Sequence, residues 1–413
     1  MVLLDILAVL RASRPAWVLS VILMGDGPLR AEVEMLGIRT IVLPLPDAIA
    51  SLGDSGLGRW KGSGALALLW RGPIAALAAL GYVRQLRRLL GELMPDLIHT
   101  NGMKAHLLGT RAEPWRLPMV WHLHDYLSSR VLMARLLQRT IRGGVVVAAI
   151  SESVARDARE TLGPKTLIQM VHNAVDLDRF HPGPGDGLAL DRASGLPDLP
   201  AGMIRIGLMA TFARWKGHDV FLNAIARIAA SLPCRFYIVG GPIYESSGSQ
   251  WSLDELKARA RALGIDDQRL GFTGHQADPA AALRGLDVVV HASTRPEPFG
   301  RVIIEALACG RALIAVHSGG AAELFTDGHD ALSSPAGDAR SLADRLVNLI
   351  TDSALRQRLG EAGRRSAEAR FGRDQLAQVW SELYESVLVH PSHVLDVDMV
   401  SARRSSSSPV ADL

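Results

Sequence analysis

Glu297 and Glu305 stand eight residues apart in the stretch His291-Ala-Ser-Thr-Arg-Pro-Glu-Pro-Phe-Gly-Arg-Val-Ile-Ile-Glu305. If a helix starts at Pro298, where a missing N–H costs nothing, a rise of roughly 1.5 Å per residue puts the carboxylates about 12 Å apart, the scale of a sugar diphosphate. Each also has a plainer explanation: Glu297 suits the positive end of a helix, and Glu305 can pair with Arg301 one turn back. Lys216, in Ala213-Arg-Trp-Lys-Gly217, lies between a strand and the start of a helix. Backbone N–H groups and the helix dipole favour phosphate at such a point, so a lysine there reads as its counter-charge. Arg214 can grip phosphate oxygens with its guanidinium fork. Gly319 and Gly320, in Ala315-Val-His-Ser-Gly-Gly-Ala-Ala-Glu323, leave room for close backbone approach or simply turn the chain.

These residues need strands to carry them. Asp287-Val-Val-Val290 reads as a buried parallel strand that empties into a loop kept irregular by Pro296 and Pro298. The helix expected after it carries Val302, Ile303, Ala306 and Leu307 at helical spacing down to Gly310. Ile204 to Met209 is the strand before Lys216, and further strands are expected at 17–24, 95–102, 119–125, 145–150, 235–239, 269–274 and 312–316. The alternation of strand and helix predicts an α/β chain of two doubly wound, Rossmann-like domains facing across a cleft. Ligands bind where parallel strands end, which marks His99, Asn101, His124 and Asp125 in the first half. The expected boundaries are 1–180 for the first domain and 203–374 for the second. Residues 181–202, rich in proline and glycine, read as a linker, a helix at about 375–388 as returning to the first domain, and 391–413 as a disordered tail.

Composition narrows the class. The 413 residues, 48% hydrophobic and 21% charged, suffice for two cores, and a net charge of +3 is too small to argue for nucleic acid. Cys234 and Cys309, far apart in apolar settings, read as buried thiols and not as a disulfide or a zinc site. Gly25-Asp-Gly-Pro-Leu29 begins like a dinucleotide fingerprint, but Arg30 occupies the third glycine position, so no nicotinamide cofactor is expected. The longest apolar stretch, Gly64 to Leu80, is interrupted by Arg71 and Pro73. Neither a membrane span nor a secretory signal is therefore expected, and the cytoplasm is the default. Tyr82 to Leu90 forms a basic amphipathic helix, with Arg59 and Lys61 upstream. That face is either solvated or rests on anionic lipid.

The combination of Pro296-Glu-Pro-Phe-Gly300, the spacing from Glu297 to Glu305 and the segment 315–323 resembles the donor-site signature of retaining glycosyltransferases of family 4, also called group 1, which have the GT-B fold. Gly25-Asp-Gly-Pro-Leu29 and Asn173-Ala-Val-Asp176 resemble the same family. The resemblance implies a nucleotide-diphosphate sugar as donor, a glycan or lipid-linked acceptor, a hexose-type sugar, and no cofactor or metal. It implies that Lys216 holds the diphosphate, with Arg214 substituting for a family arginine whose position here holds Thr211. Glu305 would hold the ribose hydroxyls, Glu297 the transferred sugar, and Phe299 and Gly300 would offer backbone N–H groups. Thr273 and Gly274 would line the base pocket, and His124 would touch the sugar near its anomeric carbon. Family enzymes open with a strand and a glycine-rich loop, whereas Met1 leads directly into a helix at Leu3 to Leu10. The first sheet is thus expected to lack its usual first strand, encoded upstream of Met1. The competing functions are a catalytically silent GT-B subunit and a sugar-nucleotide epimerase.

Overall fold

The computed structural model describes residues 2–50, 64–113, 115–242 and 249–389. The basic residues Arg59 and Lys61 and the tail 391–413 lie outside them. The chain forms two compact units: one runs to His172 and resumes at Leu376, and the other spans Asn173–Gln375.

In the first unit, strands β1 (Ser20–Leu23) and β2 (Arg39–Val42) form a parallel pair. Strands β3 (Ile98–Asn101), β4 (Met119–Leu123), β5 (Val145–Ala149) and β6 (Leu167–Met170) form a separate parallel sheet in that order. Every residue of β4 and β5 is buried, His122 included, as strands covered on both faces require. The family's usual first strand is not seen among the described residues, and the two sheets are joined by side chains instead. Tyr82, Leu86 and Leu90 of helix Gly64–Leu93 pack with Ile22 of β1 and Ile98 of β3 in one cluster. That helix runs through Pro73 without a break. Helix Arg373–Val389 completes the unit from Leu376 onward by burying Leu376, Trp380, Leu383, Tyr384 and Val387, the stripe that a 3.6-residue period creates.

The second unit contains a six-stranded parallel sheet with the order β12-β11-β10-β7-β8-β9. The strands are β7 (Ile204–Met209), β8 (Cys234–Val239), β9 (Leu270–Gly274), β10 (Val288–His291), β11 (Ala312–Val316) and β12 (Leu332–Ser334). The chain winds one way from β7 to β9 and the other way from β10 to β12. The reversal sets the carboxyl ends of β7 and β10 side by side, where doubly wound sheets bind ligands. Phe221, Phe236, Ile238, Val290 and Ile314 are among the side chains that fill the core.

Residues 181–202, expected as linker, contain helix Gly187–Ser194, capped by the Asp186 side chain. Its Asp191 is fully buried and accepts hydrogen bonds from Arg205 Nη2 (2.7 Å), Arg235 Nη1 (2.8 Å), Tyr237 Oη (2.5 Å) and the Leu199 N–H (3.1 Å). The segment is therefore bound to the second unit's sheet by a satisfied ionic network.

Candidate active site

The turn after β7 and the loop after β10 are built against each other. Gly217 has φ +80°, and a Cβ there would lie 1.8 Å from the carbonyl oxygen of Ala292, so only glycine fits this crossing. The Thr294 N–H donates to the Trp215 carbonyl at 2.7 Å. Lys216 is thereby aimed at Glu297 and donates to its Oε1 at 2.5 Å. His291 Nε2 is 3.1 Å from the same oxygen, and the Ser293 hydroxyl donates to it as well. His291 Nδ1 accepts the Val316 N–H at 3.5 Å, which leaves the Nε2 proton for Glu297. Glu297 is only 4% exposed. Burial alone would raise its pKa, but the hydrogen bond from His291 and the charge and hydrogen bond of Lys216 outweigh burial and hold the carboxyl well below the usual range. The result is a firmly ionised carboxylate beside a lysine.

The helix expected from Pro298 begins at Arg301, preceded by Gly300 at φ +103°. The separation of about 12 Å assumed continuous helix from the proline and does not apply. Glu297 instead lies in an extended stretch whose carbonyl accepts the Gly320 N–H at 2.7 Å, pairing the loops after β10 and β11. The Gly320 N–H is thus already engaged, while Gly319 makes the turn at φ +61°. Glu305, 8% exposed, receives the Arg301 guanidinium at 3.3 Å, the plainer of its two explanations. Phe299 and Gly300 are buried at the helix start. Thr273 and Gly274 close β9, with the Gly240 N–H on the Gly274 carbonyl at 3.0 Å. Arg214 is drawn elsewhere: it binds Glu255 at 2.8 Å and lies 3.9 Å over the Trp251 ring.

In the first unit, Asn101 ends β3, and His124 follows β4 within a group of imidazoles. The His122 and His124 ring centroids are 4.0 Å apart, and His99 stacks on Trp380 and shares a short hydrogen bond with Tyr384. Burial pushes the His99 pKa down to about 3 and that of His124 to about 4. No three His, Cys, Asp or Glu side chains are grouped as metal ligands among the described residues. The sequence signals missed were His291 and Ser293, polar residues at the end of an apolar strand, which brace Glu297.

Residues 203–352 match the family described as Glycosyl transferases group 1, and residues 64–179 match Glycosyltransferase Family 4. A D-inositol 3-phosphate glycosyltransferase of Streptomyces bingchenggensis is 31% identical over 71% of this chain and 67% of its own. The lipopolysaccharide core biosynthesis glycosyltransferase LpsE of Rhizobium meliloti is 29% identical over 54% of this chain and 60% of its own. The crystal structure of Anabaena HepE in complex with UDP-glucose superposes with a TM-score of 0.74 at 25% identity, covering 93% of this chain and 96% of that one.

Proposed function

We propose, for a chain that belongs to the group 1, family 4 glycosyltransferases and has their GT-B fold, that it is a retaining, metal-independent transferase. It moves a hexose-type sugar from a nucleotide diphosphate to a glycan or lipid-linked acceptor. The carrying observation is the pair of Lys216 and the buried Glu297 at the switch point of the second sheet. A leaving diphosphate needs fixed positive charge, and Lys216 supplies it next to a helix N-terminus. Glu297 is assigned to the transferred sugar, Glu305 to the ribose and His124 to the sugar near its anomeric carbon.

Glu297 Oε1 accepts from three side chains, which engage the lone pairs a covalent nucleophile would need to present to the anomeric carbon. Front-face attack follows: the acceptor oxygen bonds to the anomeric carbon as the bond to phosphate breaks, and the acceptor proton passes to the departing phosphate. The protein contributes position and charge. The relatives named for inositol phosphate and lipopolysaccharide support the acceptor class, and the UDP-glucose complex of HepE supports the donor class.

Peripheral membrane contact is part of the proposal. No described helix is long and apolar enough to cross a membrane. Helix Gly64–Leu93 nevertheless exposes Ile74 (61%), Leu77 (70%) and Leu80 (53%), followed by exposed Arg84 and Arg88, the makeup of a helix that lies on anionic lipid. A thermal-shift screen against UDP, GDP and ADP, followed by transfer assays with the matching nucleotide sugars, tests the assignment. No shift with any nucleotide and no sugar released or transferred would refute it.

A further inference from the structure

We propose that the second unit carries a separate binding groove for a small phosphate-class anion at the amino ends of β10 and β11. The groove has a volume of about 580 Å³, within the roughly 300–1,000 Å³ span of small-molecule pockets. Arg311, from the turn after helix Arg301–Ala308, and Arg356, Arg364 and Arg365, from helix Ser353–Arg370, converge on it.

Three of these guanidinium groups are fixed by backbone carbonyls. Arg311 Nε donates to Cys309 O at 3.0 Å, and Arg356 Nη1 donates to Leu349 O and Ile350 O at 2.5 and 3.1 Å. Arg364 Nη1 donates to Phe180 O and Ala308 O at 2.9 and 2.8 Å. Carbonyls orient a guanidinium without neutralising it. Arg364 also has a carboxylate partner, Glu368 at 2.7 Å, but among the described residues Arg311, Arg356 and Arg365 have none. Two carboxylates also line the groove, Asp287, which accepts the Arg205 N–H, and Glu361, which accepts from Gln357, and the four arginines outnumber them. Two oriented forks and one free cation around a cavity are suited to bidentate capture of phosphate oxygens.

A Cβ at Gly360 would lie 2.3 Å from the Gly310 carbonyl oxygen, so glycine lets helix Ser353–Arg370 pack directly on the turn that carries Arg311. The groove is distinct from the candidate donor site. Asp287 precedes β10, whereas His291 and Glu297 follow it, which separates the two by on the order of 13 Å, the length of a four-residue strand.

Calorimetric titration of inorganic pyrophosphate tests the proposal, with the full-length Lys216→Ala chain as host so that the candidate donor lysine does not contribute. The host should bind one equivalent. Arg365→Glu, at an exposed residue with no partner among the described residues, should weaken that binding at least fivefold, and Arg311→Ala with Arg356→Ala should weaken it further. Arg356 holds helix-end carbonyls, so unfolding of the double variant is checked by circular dichroism, and Arg365→Glu is decisive if it occurs. Failure of the host to bind pyrophosphate, or a loss smaller than fivefold in Arg365→Glu, overturns the proposal.

Discussion

Lys216 Nζ and Glu297 Oε1 meet at 2.5 Å across 81 residues of sequence, at the point where the strand order of the second sheet reverses. A diphosphate would compete with this carboxylate for the lysine, so replacing either partner changes both donor binding and the local charge balance.

Lys216→Ala is expected to lower kcat/KM by about 10²–10³, as removal of a preorganised charge donor does. Glu297 keeps His291 and Ser293, so the variant should fold. Steady-state transfer kinetics and a melting curve check both halves. Near-normal turnover would remove Lys216 from the donor site.

Glu305→Gln should act mainly on donor binding, and Glu297→Gln mainly on kcat, because sugar contacts strengthen as the bond to phosphate breaks. Glu297→Gln should also lower Tm, since it leaves Lys216 without a carboxylate in a half-buried setting. Equal losses in KM and kcat for both variants would contradict this division.

Acid should loosen the first unit early. Burial holds His99 and His106 down to about 3, His124 to about 4 and His122 well below its ordinary value, whereas an unfolded histidine titrates near ~6.5. Their contribution is therefore complete above about pH 6.5 and falls with pH toward 3–4, by up to ~1.4 kcal/mol per pH unit for each histidine protonated only when unfolded. Tm should drop between pH 7 and 5, and less steeply in His122→Phe. A flat profile would show that these imidazoles gain protons in place.

Asp191→Ala should destabilise the second unit by about 3–5 kcal/mol, because it strips the carboxylate partner from the buried Arg235 and the partly buried Arg205. Urea unfolding followed by a probe in that unit measures it. A change below about 1 kcal/mol would mean the arginines find other acceptors.

Dialysis against EDTA is expected to leave transfer unchanged. Inhibition reversed by Mg²⁺ or Mn²⁺ would place a divalent ion in the reaction.

The strands were legible because β5 and β11 are uninterrupted apolar runs and β4 and β10 are apolar but for one histidine each, and parallel strands buried on both faces have that pattern. Lys216 and Glu297 were legible as candidates, but their contact was not, because periodicity says nothing about pairing between distant loops. The helix start was misjudged by three residues: Pro298 satisfied local preference, while the tie from Gly320 to Glu297 kept the chain extended. Helix Gly187–Ser194 was hidden among prolines and glycines, since what holds it is Asp191 reaching Arg205 and Arg235. The contacts of Arg214 with Glu255 and Trp251 were not legible, because both partners are distant in sequence.

The crossing at Gly217 also bears on how such an enzyme can be re-engineered. With the Ala292 carbonyl 1.8 Å from any added Cβ, the peptide carrying Lys216 cannot be reshaped without displacing the end of β10. Mutant libraries seeking a new sugar donor should therefore leave position 217 fixed. Arg214, Trp251 and Glu255 form an exposed or half-exposed set one turn away and are the better place to introduce diversity.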